Sequence, residues 1–129
     1  NMHILTKKQF TGIIKEDKQS VYTALREGCS WVAYDYFCNS KGFRFNIKSH
    51  DAKWHIGEKV PRADNMYADI KTPCRAKVIL IKNGVPWKES LGTVHKFTNI
   101  QSGVYRVEAY HRYGFGSRPW IFSNPIWVI

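Results

Sequence analysis

The sequence predicts a mainly β protein, an immunoglobulin-like antiparallel β-sandwich with one short N-terminal helix. Three observations carry that expectation. From Ser30 onward the apolar residues recur with a period of two, as where Phe43, Phe45 and Ile47 alternate with Arg44, Asn46 and Lys48. That pattern belongs to strands with one face in a core. Asn83-Gly84 separates two apolar-rich runs, and Asn-Gly is the strongest short-range hairpin signal because both central residues take positive φ. Finally, Tyr105 stands two residues before Val107 in Gly103-Val104-Tyr105-Arg106-Val107. Immunoglobulin-like sandwiches place a tyrosine there, and its hydroxyl bonds back to the preceding corner.

The elements follow in order. Met2 to Leu5 reads as a short extended piece in an otherwise loop-like start. Glu16-Asp17 then open a run in which Val21, Ala24 and Leu25, with Tyr22 flanking, recur at helical spacing, and Gly28 sits where a C-terminal cap belongs. A helix is expected over about residues 17–27, its apolar stripe covering either the sandwich or another domain. Trp31 to Phe37 reads as a buried strand, and Asn39-Ser40-Lys41-Gly42 as a turn before the Phe43–Lys48 strand. Tyr67 to Thr72 is a strand ended by Pro73. Arg75–Lys82 and Val85–Leu91 flank the Asn-Gly turn, and Gly92–Thr98 makes another strand. The strand carrying Tyr105, Val107 and Ala109 precedes a closing run from Trp120 to Val128. Pro125 lacks the N–H a ladder needs, so that last run should lie at an edge or bulge there.

With 129 residues the chain suits one packed domain, and 43% hydrophobic with 15% aromatic residues excludes a disordered tail. No apolar run approaches the roughly 20 residues that span a bilayer. Neither a membrane partner nor an export signal is expected, and the compartment expected is the cytoplasm. Twenty Lys and Arg against ten Asp and Glu give a formal charge of +10. Such an excess attracts nucleic acid, phosphorylated ligands or an acidic domain, although scattered lysines equally describe a solvated surface. Cys29, Cys38 and Cys74 form an odd set without a CxxC. Buried free thiols are the expectation, with one disulfide plus a free thiol as the alternative.

Catalytic patterns are weak. His3, His50, His55, His95 and His111 show no metal-ligand spacing, and His50 and His55, beside Asp51 and Glu58, read as a surface loop. Ser123 sits outside a nucleophile elbow. Tyr113-Gly114-Phe115-Gly116-Ser117 joins two strands and reads as a hairpin loop, not a phosphate loop. Asp35 and Glu108 lie on different strands with nothing to bring them together. The one plausible contact surface is the Tyr110–Trp120 segment, where Tyr110, Tyr113, Phe115 and Trp120 interleave with Arg112 and Arg118. Such a mixture stacks bases or sugar rings, or docks on a neighbouring domain.

Several phrases together resemble one family: His3-Ile4-Leu5-Thr6, Asp17 followed by Val21-Tyr22 and Ala24-Leu25-Arg26-Glu27-Gly28, Val32-Ala33-Tyr34-Asp35-Tyr36, and Gly42-Phe43-Arg44-Phe45. Ile56-Gly57-Glu58, Leu80 to Gly84, Gly103 to Glu108, and Pro119-Trp120-Ile121-Phe122-Ser123-Asn124-Pro125-Ile126 continue the series in order. The chain resembles the C-terminal part of bacterial PHP (polymerase and histidinol phosphatase) metal-dependent phosphoesterase-like proteins. The resemblance implies that residues 1–29 end a preceding barrel and 30–129 form an accessory sandwich. It also implies that divalent metals belong to that barrel, so neither a cofactor nor a catalytic or metal-binding residue is assigned to this chain. The expected partners are the barrel of the same polypeptide and a phosphorylated substrate. The alternative is an autonomous carbohydrate- or nucleic-acid-binding module.

Overall fold

The computed structural model describes residues 1–36, 38–113 and 116–129, for Tyr113 the backbone alone. The chain runs β1 (Met2–Ile4), α1 (Ile14–Arg26), β2 (Ser30–Ala33), β3 (Arg44–Lys48), β4 (Lys53–His55), β5 (Lys59–Val60), β6 (Tyr67–Lys82), β7 (Val85–Phe97), β8 (Gly103–Tyr113), β9 (Gly116–Ser123) and β10 (Ile126–Val128). It is mainly β, antiparallel but for the short β5–β10 pairing, and sandwich-like with one helix.

Two long strands connect the layers. The first half of β6 pairs with β3, from Lys71 opposite Arg44 to Tyr67 opposite Lys48, while its second half pairs with β8, from Lys77 opposite Tyr110 to Lys82 opposite Tyr105. Between them the β6–β7 register jumps from Lys71–Val94 to Ala76–Gly92, so four residues of β6 oppose one of β7. Pro73 lies inside this bulge. The sequence expectation that Pro73 ends a strand therefore needs correction. A residue without an N–H is tolerated where the ladder is already open, so Pro73 marks a bend within one strand. Thr72 closes the bend by donating its hydroxyl to the Cys74 carbonyl at 2.8 Å. Inward residues of both layers, including Phe45, Ile47 and Ile70 from one and Val78, Leu80, Val107 and Ile121 from the other, form a single core.

Local signals act as their chemistry dictates. Asn83 and Gly84 take φ of 51° and 81° between Lys82 and Val85, and Asn83 Oδ1 also accepts the Val104 N–H at 2.9 Å. Tyr105 is fully buried; its hydroxyl donates to the Gln101 carbonyl at 2.9 Å and accepts the Gln101 N–H at 3.1 Å. That is the tyrosine-corner geometry. The ladder breaks at Asn124-Pro125, separating β9 from β10, and the Pro125 carbonyl instead accepts the Gly57 N–H at 3.0 Å.

The Trp31–Phe37 strand is shorter than expected. It ends at Ala33, and Val32, Tyr34 and Tyr36 are exposed, while Phe37 lies outside the described residues. Asp35 is the cause: its carboxylate accepts the Ser40 N–H at 2.9 Å and lies 2.7 Å from His3 Nε2, turning the chain out of the sheet.

The helix is where expectation and structure diverge most. α1 ends in a Schellman arrangement, with Gly28 N–H bonded to Leu25 O at 3.2 Å and Cys29 N–H to Ala24 O at 2.8 Å. Of the expected stripe, Val21 is half-buried and Ala24 buried, alongside half-buried Ser20 and Thr23. The apolar residues Ile14, Tyr22 and Leu25 turn out and stand 79%, 56% and 41% exposed. β1, meanwhile, is hydrogen-bonded to β2, so the sheet begins inside the segment ascribed to a barrel tail.

The cysteines differ from the expected three free thiols. Cys38 and Cys74 form a disulfide, and Cys29 alone is a buried free thiol. The expectation of three thiols failed because 36 residues separate the partners, and only the return of β6 past the loop after β2 brings their Cα atoms to 6.5 Å.

Candidate functional site

The β8–β9 hairpin carries most of the residues the sequence singles out. Its register sets Tyr110 opposite Pro119, His111 opposite Arg118, Arg112 opposite Ser117 and Tyr113 opposite Gly116. Ala109 faces Ile121, so Trp120 is an extra residue in β9 with no partner across the ladder. Such a bulge resets the side-chain phase, and consecutive Trp120 and Ile121 are both fully buried.

Trp120 is therefore not part of a contact surface. It lies in the core, 4.1 Å from the His111 ring, with its indole N–H donated to the Cys38 carbonyl at 2.8 Å. Tyr110 is half-buried and held: its hydroxyl donates to Glu108 at 2.5 Å and its ring meets Phe122 edge-on. The bond to Glu108, helped by burial, pushes the Tyr110 hydroxyl up to about 12, so it stays a neutral donor. Arg112 and Arg118 stand at the surface, Phe115 lies outside the described residues, and Tyr113 is placed by its backbone only.

Beside the hairpin opens a cleft of about 780 Å³, walled by β6 and β8. Arg75, Lys77 and Arg112 line it together with Tyr110, His111 and Ser117, and Leu91 of β7 borders it. The sequence did not bring Arg75 or Lys77 to this place. Burial lowers the His111 imidazole below the usual histidine range against a hydrogen bond to the Arg75 backbone, and its Nε2 is buried without a partner among the described residues.

Other reactive groups are occupied. Burial raises the Cys29 thiol, which makes it a poor nucleophile. Ser123 Oγ accepts the Val107 N–H at 2.8 Å. Glu108 also takes Arg106, and Asp35 takes His3 and Ser40. His55 pairs with Glu58 at 3.1 Å, His50 lies exposed beside Asp51, and among the described residues no three His, Cys, Asp or Glu gather into a metal-holding group.

One pair escaped sequence reasoning. Buried His95 donates from Nε2 to the Gly92 carbonyl at 3.0 Å, which leaves Nδ1 to accept the Ser90 hydroxyl. Burial lowers its pKa and keeps the ring neutral, and the pair ties β7 together at the bend rather than lining a cleft. Only its i, i+5 spacing along one strand could have hinted at it.

Comparison with family models, with curated proteins and with solved structures gave no match.

Proposed function

We propose that this chain is a non-catalytic accessory sandwich that docks through α1 on a partner domain, the barrel of a PHP-type phosphoesterase of the same polypeptide. The observation that carries the reading is the uncovered apolar flank of the helix. α1 turns Val21 and Ala24 inward but leaves Ile14, Tyr22 and Leu25 exposed, apolar surface that an amphipathic helix ordinarily buries. The resemblance set out from the sequence supplies the partner, and the absorbed Ser, Cys and carboxylate groups supply the non-catalytic part. The Cys38–Cys74 disulfide argues for an oxidising compartment and against the cytoplasm. Among the described residues no helix is long and apolar enough to cross a membrane.

Hydrogen exchange tests the docking. Amides of α1 should exchange more slowly in the polypeptide that carries the barrel than in this chain alone, and Leu25→Lys should abolish the difference. Equal exchange in both would sink the docking. The isolated chain, given phenyl phosphate with manganese or zinc, should show no turnover; activity that copurifies with it through successive columns overturns the non-catalytic assignment.

A further inference from the structure

The cleft beside the β8–β9 hairpin is used neither by the core nor by α1. Its walls are cationic in a particular way. β6 and β8 pair antiparallel, with Lys77 opposite Tyr110 as the last partners. Beyond that pair the ladder opens, with Ala76 and Arg75 next along β6 and His111 and Arg112 next along β8. The hydrogen bond between His111 and the Arg75 backbone shows that the two strands stay close there. Arg75 and Arg112 are both exposed and line this one cleft, and neither has an ion pair among the described residues.

Like charges gathered in one cleft repel each other. The base of Arg75 has little freedom to relieve this, because Cys74 before it is bonded to Cys38 and Ala76 after it is buried. An anion between the two arginines removes the repulsion, and guanidinium forks match phosphate oxygens two at a time. Lys77, already balanced by Glu89 at 3.3 Å, adds no unpaired charge, and among the described residues no carboxylate lines the cleft. Tyr110, locked by Glu108 and Phe122, offers a flat wall next to the cations, with Leu91 exposed nearby.

We propose that this cleft binds a small phosphorylated molecule, its phosphate clamped between Arg75 and Arg112 and its organic part lying on Tyr110 and Leu91. Ser117 is placed to donate its hydroxyl to the same group. The proposal deepens the accessory-domain reading by assigning the surface that would receive a phosphorylated substrate. It is tested on this chain alone, so its failure and a failure of α1 docking are separate results.

The test is a titration of the folded chain followed by backbone amide NMR shifts, with phenyl phosphate, inorganic phosphate and benzoate as probes. Phenyl phosphate should give saturable shifts confined to Arg75–Lys77, Tyr110–Arg112 and Gly116–Ser117. Inorganic phosphate should bind the same amides more weakly, and benzoate should not saturate. Arg75→Gln and Arg112→Gln, both at exposed positions, should each weaken phenyl phosphate at least about tenfold. Lys15→Gln removes the same charge from exposed α1 and should change nothing. The proposal is overturned by the absence of saturation up to about 10 mM ligand, by equal losses in Lys15→Gln, or by benzoate binding as well as phenyl phosphate. Tighter binding of a single-stranded oligonucleotide across the same amides would overturn it in favour of a nucleic-acid surface.

Discussion

Replacing Gly57 by Ala should be among the most damaging single changes to this fold. Gly57 lies in the turn between β4 and β5, at φ 91°, against the C-terminal end of α1. A Cβ there would stand 2.2 Å from the Glu27 carbonyl oxygen and 2.9 Å from the Gly28 carbonyl carbon, both backbone atoms that cannot rotate away. Two costs add. An L-residue held at positive φ costs roughly 1–2 kcal/mol, and forcing a methyl into packed backbone costs about 1–3 kcal/mol more. The expected loss is thus about 2–5 kcal/mol, a large part of the stability of a domain this size. Gly42 separates the terms, because it has φ 97° with nothing within 4 Å of an added Cβ. Gly42→Ala should show the conformational cost alone. Urea unfolding followed by tryptophan fluorescence, with a constant slope, measures both. If Gly57→Ala and Gly42→Ala lose the same stability, the close approach of the β4–β5 turn to the helix end is refuted.

Reducing the Cys38–Cys74 disulfide, or replacing both cysteines by Ser, should lower stability by about 4 kcal/mol, from closure of a loop spanning 36 residues; an unchanged urea midpoint would show that the bond does not constrain the unfolded chain. Asp35 gives a pH signature. Burial alone would raise its pKa, but hydrogen bonds from His3 and Ser40 outweigh this and hold it at about 2, against an ordinary 3.8. A depressed carboxylate stabilises the fold above its unfolded pKa and loses that contribution as pH falls through the folded value. Wild type should therefore exceed Asp35→Asn by about 2 kcal/mol at pH 6, with the gap closing between pH 4 and 2; a gap constant over that range would show that Asp35 does not carry it.

Much of the fold was legible because its signals are local. Asn-Gly strongly favours positive φ at both positions of a two-residue turn, so the β6–β7 hairpin follows from Asn83 and Gly84. Tyr105 needs only the turn four residues upstream, and Gly28 only the helix it ends. The alternation of Phe43, Phe45 and Ile47 fixes which face of β3 is buried without reference to any partner. The candidate site was half legible: Tyr110 and Arg112 announce themselves as an aromatic–cation pair, but Phe115 lies outside the described residues and Trp120 sits in the core.

What the sequence alone determined is the class of the protein, a mainly β chain with one helix, since period, turn chemistry and capping act over a few residues. The tertiary structure decided everything that depends on distant segments or on ladder phase. The bulge at Trp120 reverses which side of β9 faces inward, and the bulge around Pro73 converts a strand terminus into the bend that joins two layers. Cys38 meets Cys74, and Arg75 and Arg112 come to line one cleft, only after β6 returns beside strands remote in sequence. The outward stripe of α1 was likewise undecidable from its periodicity, because a helical wheel shows that a face is apolar but not what covers it.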